Sequence, residues 1–191
     1  MNDPIELLAR WIDDAGGPDS LDAIAMCLAT ADATAHPSAR MVLLRGLDPR
    51  GLRFFTSYQS RKGVELGANP HAAAVLYWPR LQRQVRIEGD VTQLAEDESD
   101  EYFNARPRGH QIAAWASEQS APLDAYITLE ERFAHFDARF EGEQVPCPHS
   151  WGGYLLEPSR IEFWQGRPNR MHDRLEYARI GSMWQFTRLQ P

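Results

Sequence analysis

The chain is 191 residues long, 43% hydrophobic and 25% charged, a balance that supports a folded core and excludes a disordered or fibrous protein. Its formal charge of −7 argues against a general nucleic-acid binder, which needs a basic surface to hold a phosphate backbone. No apolar run approaches the ~20 residues that span a bilayer. The acidic, amphipathic start MNDPIELLARWIDD is also unlike a secretory leader, so a cytoplasmic protein is expected, with no membrane partner.

Asp3, Pro4 and Glu6 predict a helix start, with Asp3 as N-cap and Pro4 at the first helical position. Ile5, Leu8 and Ile12 give that helix one apolar face, and Gly16-Gly17-Pro18 ends it. AMCLATA, the polar turn DATAHP and ARMVLL predict a hairpin; Asp48-Pro49-Arg50-Gly51 predicts a turn into a strand LRFFT. Ser60 caps a short helix through Leu66, closed by Asn69-Pro70. AAAVLYW and RQVRIEGDVTQL read as two more strands; in the second, Val85, Ile87 and Val91 alternate and Gly89 interrupts them. Residues 97–117 read as helix broken at Arg106-Pro107, and Thr128 with Glu131 reads as a capping box opening a helix to about Phe140. YLLEP, RIEFW, LEYARI and MWQFTRL follow as four strands. Closely spaced short strands without a βαβ rhythm, repeat or linker predict a mainly β fold. The expected form is an antiparallel barrel with peripheral helices, in one domain over residues 1–191.

The usual catalytic signatures are missing. There is no GxGxxG, no Walker pattern and no GxSxG. The six histidines form no i, i+4 pair, so no metal site is expected, and the EDESDE run reads as a solvated helix N-terminus. Cys27 and Cys147 belong to no CxxC unit and read as reduced structural thiols. What remains is arginine beside apolar or aromatic segments: Arg40, Arg45, Arg61, Arg83, Arg86, Arg106, Arg170 and Arg174. Such arginines suit bidentate recognition of phosphate or carboxylate. Ser60-Arg61-Lys62-Gly63 places two cations at a helix N-terminus, where cations are unfavourable unless an anion binds there. A small phosphorylated ligand is the expected partner.

Five segments carry a family resemblance: ARMVLLR (39–45), FFTSYQSRKG (54–63), RQVRIEG (83–89), WASEQS (115–120) and EFWQGRPNRMHDR (162–174). In this order they resemble the motifs of the pyridoxamine 5'-phosphate oxidases, from about Asp22 to the terminal RLQP. The resemblance implies an FMN-binding split β-barrel, a six-stranded antiparallel Greek-key barrel with peripheral helices. It also implies a homodimer with shared active sites and a C-terminal dimerisation and substrate region at about 145–191. Arg40, Met41, Val42, Leu43, Leu44 and Arg45 are then expected along the flavin, although on composition alone Met41, Val42 and Leu43 also fit plain barrel core. Phe55, Thr56, Arg61 and Lys62 are implied at the FMN phosphate and ribityl chain. Gln84, Gln119, Ser120, Trp164 and Arg174 are implied as further FMN contacts.

For the substrate, the resemblance places Arg45, Tyr102, Arg106 and His110 around a phosphate, with Asp22 nearby. Arg170 and His172, with Met171 between them, bracket a pyridine ring and are the catalytic pair. The implied reaction converts pyridoxamine or pyridoxine 5'-phosphate to pyridoxal 5'-phosphate with O2 as acceptor, releasing hydrogen peroxide, and ammonia from the amine. Arg45 and His110 depart from the family's lysine and serine, and the basic N-terminal arm of many members is not seen. The alternatives are a paralogous FMN oxidase such as the flavoproteins of phenazine biosynthesis, or a non-catalytic flavin-binding protein.

Overall fold

In the computed structural model, which describes residues 3–191, helix α1 (Pro4–Asp14) begins where the sequence places it. The Asp3 carboxylate accepts from the Ile5 amide at 2.8 Å and satisfies one orphan donor of the first turn. Ile5, Leu8 and Ile12 are buried on the inner face of α1. Trp11 packs edge-on against Phe163 at 5.1 Å and carries the Arg83 guanidinium on its ring at 4.6 Å. Arg83 also pairs with Asp14 at 2.6 Å, which fastens the helix to the sheet.

After a one-turn helix α2 (Leu21–Ile24) come β1 (Ala25–Ala31), β2 (Pro37–Leu43), β3 (Gly46–Asp48) and β4 (Gly51–Ser57). Helix α3 (Arg61–Ala68) and strands β5 (His71–Trp78) and β6 (Arg83–Gln93) follow. Three helices, α4 (Glu96–Asn104), α5 (Arg108–Ala116) and α6 (Tyr126–Arg139), precede β7 (Trp151–Gln165), β8 (Asp173–Ile180) and β9 (Met183–Leu189). All strand pairs are antiparallel, in the order β2-β1-β5-β6-β7-β4-β3, with β8 on β7 and β9 on β8.

The 15-residue β7 explains why this sheet is a split barrel. One of its edges pairs with β6 from Tyr154 to Gln165. The other edge is divided, taken by β4 at Trp151–Leu156 and by β8 at Arg160–Gln165. YLLEP and RIEFW are therefore one strand and not two, because the ladder runs through Pro158-Ser159 with Ser159 as an extra residue on β7 opposite the Glu88/Gly89 step of β6. A Cβ at Gly89 would overlap the Glu157 carbonyl, so the interruption read in the sequence is a close backbone approach.

The structure corrects three further expectations. Strand β3 is additional, and α3 runs on to Ala68 instead of stopping at Leu66. Thr128 does not cap α6: the helix starts at Tyr126, and the Thr128 amide already bonds to the Ala125 carbonyl at 3.1 Å. A hydroxyl inside the first turn cannot cap the turn that contains it. With YLLEP and RIEFW merged and β3 added, the described residues hold nine strands, and LEYARI and MWQFTRL form the β8–β9 hairpin.

Leu28, Phe54, Leu76, Ile87, Leu156 and Phe163 lie at the centre of the main core, inside the sheet and under α1. A second cluster, Phe103, Ile112, Phe140, Val145 and Trp151, lies beneath α4–α6. No helix among the described residues is long and apolar enough to cross a membrane.

Candidate active site

A cavity of about 980 Å³ opens between β2, β4, the start of α3 and the α4–α5 corner. Arg40, Met41, Val42, Leu43 and Arg45 reach it from β2 and the turn beyond, and Phe55 and Thr56 from β4. None of the β2 residues that line it is buried: Met41 is 64% exposed, so this strand is a lining and not barrel core. Arg61 and Lys62 enter from α3; Tyr102, Arg106 and His110 from the α4–α5 corner; Gln119 and Ser120 from the segment after α5.

The α3 end is built around two charged hubs. Ser60 accepts from the Gly63 amide as N-cap, in agreement with the sequence. Lys62 is only 6% exposed, and its ammonium donates to Thr56 Oγ1 at 3.0 Å and Ser60 Oγ at 3.2 Å. Burial, reinforced by the Arg40 charge, pulls the Lys62 pKa below the ordinary 10.5. Thr56 passes its own proton to Gln119 Oε1 at 2.9 Å, and the Ser57 amide donates to the same oxygen at 3.2 Å. Both bonds fall on the Gln119 carbonyl, which leaves its NH2 group for the cavity.

Glu65 is the second hub, and sequence reasoning missed it. Buried to 5% exposure, it accepts from Arg61 Nε at 2.8 Å, Arg40 Nη2 at 3.1 Å, Thr30 Oγ1 at 2.5 Å and Ser38 Oγ at 2.7 Å. Burial opposes its ionisation, but these donors together outweigh it and hold the pKa at about 2. Its place four residues after Arg61 was the available signal, an i, i+4 pair.

The α4–α5 corner supplies a separate set of cations. Arg106 has no ion-pair partner among the described residues, and its Nη1 is buried without a hydrogen bond. Desolvation, followed by the nearby Arg45 charge, lowers its pKa. An arginine that lines a cavity with no carboxylate partner among the described residues suits an anion.

Other expected residues lie elsewhere. Gln84, Trp164 and Arg174 sit in register across β6, β7 and β8. Arg174 is held by Glu162 through Nε at 2.8 Å and Nη2 at 3.1 Å, and that carboxylate raises its pKa. His172 packs on Trp164 with ring centres 4.6 Å apart. The Arg167 amide donates to His172 Nδ1 at 3.2 Å, so the neutral ring carries its proton on Nε2 as a free donor. Asn169 and Arg170 both adopt left-handed backbone, φ 56° and 59°, a cost of ~1–3 kcal/mol each that structures retain chiefly at working sites. Met171 is 69% exposed beside them. Neither this group nor the exposed Asp22 lines the cavity within one chain. Leu44 also differs from its β2 neighbours, with its side chain buried in the core.

A split barrel with a buried lysine and an unpaired arginine along one strand-lined cavity has the chemistry to hold phosphorylated ligands against a sheet. The family model described as pyridoxamine 5'-phosphate oxidase matches residues 21–139. The model described as the pyridoxine 5'-phosphate oxidase C-terminal dimerisation region matches residues 151–191. The chain belongs to the pyridoxamine 5'-phosphate oxidase family and is an oxidase.

A pyridoxine/pyridoxamine 5'-phosphate oxidase of Rubrobacter xylanophilus is 52% identical over 99% of this chain and 87% of its own length. One from Thermosynechococcus vestitus is 53% identical over 99% and 89%. PhzG from Burkholderia lata 383, solved with tetrahydrophenazine-1-carboxylic acid, is 36% identical with a TM-score of 0.94, covering 100% of this chain and 94% of that one.

Membership implies FMN as the cofactor, and the α3 end fits its phosphate. Lys62 brings a buried charge that is in no salt bridge among the described residues, Arg40 and Arg61 are held in place by Glu65, and the Gln119 amide is free to donate.

Proposed function

We propose that the protein oxidises pyridoxamine 5'-phosphate and pyridoxine 5'-phosphate to pyridoxal 5'-phosphate, with dioxygen as electron acceptor, as a cytoplasmic homodimer. The observation that carries this reading is the presence of two cation sets in one cavity. Lys62, Arg40 and Arg61 line it at the α3 end, and Arg106 and Arg45 line it toward the α4–α5 corner. One phosphate needs one set; a second suits a second phosphorylated molecule in the same cavity. Curated relatives at about half identity carry names that state this activity.

In this reading Lys62, Arg61, Thr56 and Gln119 hold the FMN phosphate and ribityl chain, and Arg40 to Arg45 run beside the ring. Arg45, Tyr102, Arg106 and His110 hold the substrate phosphate. Trp164, Arg170, His172 and Arg174 lie on or next to β7 and β8, inside the matched dimerisation region, and Gln84 lies beside Trp164 on β6. A second copy therefore completes the cavity with these residues. FMN held by Lys62, Arg61, Thr56 and Gln119 would supply the redox chemistry, as acceptor of a hydride from the substrate C4' carbon and donor of the electrons that reduce dioxygen to hydrogen peroxide. Arg170 steadies the pyridine ring, and His172 donates from Nε2 to orient it. Water hydrolyses the imine that the amine substrate becomes, releasing ammonia.

A second reading is an FMN oxidase of phenazine synthesis. The likeness to PhzG supports it, as do Arg45 and His110 where the resemblance leads one to expect lysine and serine. Steady-state kinetics of the FMN-loaded enzyme on pyridoxamine 5'-phosphate, pyridoxamine and a reduced phenazine carboxylate separate the readings. A charge-assisted hydrogen bond contributes ~1.5–3 kcal/mol, so the phosphorylated amine should lead its unphosphorylated form by ~10–150-fold in kcat/KM. Faster oxidation of the phenazine carboxylate would select the second reading.

A further inference from the structure

Arg106 raises a physical question that the family resemblance does not answer: what holds it. Of the other arginines that line the cavity, Arg40 and Arg61 are fixed by the Glu65 carboxylate. Arg106 has no such partner among the described residues, yet its Nη1 is buried. Its guanidinium carbon instead lies 4.6 Å from the centre of the Trp151 ring, with Phe103 at 5.5 Å.

Trp151 is itself rigidly placed. It opens β7 opposite Ser57, it is 9% exposed, and Phe103 meets it edge-on at 5.1 Å. Tyr102 and Phe55 lie nearly parallel to it, at interplanar angles of 6° and 16°. The chain passes so close that a Cβ on the next residue, Gly152, would overlap the Tyr58 hydroxyl. A carboxylate in this place would cancel the charge that Arg106 offers. An aromatic face holds a guanidinium flat and leaves both its charge and its in-plane donors free.

We infer that Trp151, which no sequence motif singled out, is the positioning residue for the substrate-phosphate arginine: its indole face fixes the plane of Arg106 so that the unbonded edge meets an incoming phosphate. This rests on the reading of the cavity as a site for a phosphorylated substrate.

The test uses FMN-loaded wild type, Trp151→Leu, Trp151→Phe, Arg106→Ala and the Trp151→Leu/Arg106→Ala double variant. It measures kcat and KM for pyridoxamine 5'-phosphate and for pyridoxamine, and inhibition by inorganic phosphate. A desolvated cation–aromatic contact corresponds to about a tenfold effect. Trp151→Leu should lower the preference for the phosphorylated amine by that factor, through KM, and weaken phosphate inhibition in parallel. Trp151→Phe keeps a ring and should restore most of the preference. In the Arg106→Ala background, Trp151→Leu should cost no further preference.

A residue that only fills the core would lower stability and both substrates' rates together, and that result would overturn the inference. So would a preference loss that persists without Arg106. Should Trp151→Leu fail to fold, Trp151→Phe is read the same way, at about threefold. A wild-type enzyme that ignores the phosphate group would overturn the proposed substrate instead. Phosphate inhibition that weakens in the Trp151 variants would still support the pairing in that case, and its absence would overturn both.

Discussion

Replacing Lys62 by methionine separates what a buried charge costs the fold from what it contributes to the cofactor. The lysine is 6% exposed, donates to two hydroxyls and has a pKa pulled below 10.5 by burial and by Arg40. In the cofactor-free protein that ammonium is therefore a cost. The unfolded chain binds the proton more tightly than the folded one, so the penalty is fully present below the folded pKa and vanishes as pH rises toward 10.5. Methionine keeps the length and the apolar stem and removes the charge. The apoprotein should then melt no lower than wild type near neutral pH, and should lose the gain in stability that wild type shows at alkaline pH. FMN loses a charge-assisted hydrogen bond of ~1.5–3 kcal/mol, so its Kd should rise by ~10–150-fold. Flavin-fluorescence titration of the apoprotein gives the Kd, and melting curves with and without FMN give the stability. A Kd within about twofold of wild type, against the 1.5–3 kcal/mol assigned to the contact, would refute the placement of the FMN phosphate at α3.

Glu65→Gln should destabilise the protein at neutral pH by roughly 2–3 kcal/mol, because a carboxylate held near a pKa of 2 stabilises the fold above its ordinary 4.5 and loses that stabilisation as pH falls from 4.5 toward 2; acid melting curves check this through the flatter profile of the variant. Arg170→Ala and His172→Ala should lower turnover by ~100-fold while FMN stays bound, since both act on the substrate side; flavin content and kcat read together decide it, and loss of FMN would contradict it. Arg45→Lys with His110→Ser, the residues the resemblance leads one to expect, should keep the preference for a phosphorylated amine and change kcat/KM by less than ~10-fold, because the cation is conserved; collapse of the preference would show a pocket built for another anion.

Most elements of the fold were legible because their signals are local. Asp3-Pro4 and Ser60 are caps that act within one turn, and Gly89 marks a close backbone approach by the lack of a side chain. The misread elements were those decided at a distance. Pro158-Ser159 looks like a break, yet the ladder to β6 continues on both sides of it and Ser159 is absorbed as a bulge within β7. Thr128 and Glu131 have capping spacing, but the helix start is set two residues earlier, at Tyr126.

The site shows the same division. The cavity gathers Lys62, Thr56, Gln119, Arg106 and His110, each of which lay in or beside a contiguous motif or its resemblance. Glu65 and Trp151 were passed over because their roles depend on partners 25 to 45 residues away, Arg40 and Arg106. Arg170 and His172 were expected from the resemblance, but one chain leaves them off the cavity, and no pattern within a single sequence places a second copy.

The most direct test of the central claim is product analysis of the FMN-loaded enzyme supplied with pyridoxamine 5'-phosphate and dioxygen. The expected result is one pyridoxal 5'-phosphate, one ammonia and one hydrogen peroxide for each dioxygen consumed, with pyridoxine 5'-phosphate giving the same aldehyde without ammonia. Fully loaded enzyme that forms no pyridoxal 5'-phosphate from either substrate would contradict it.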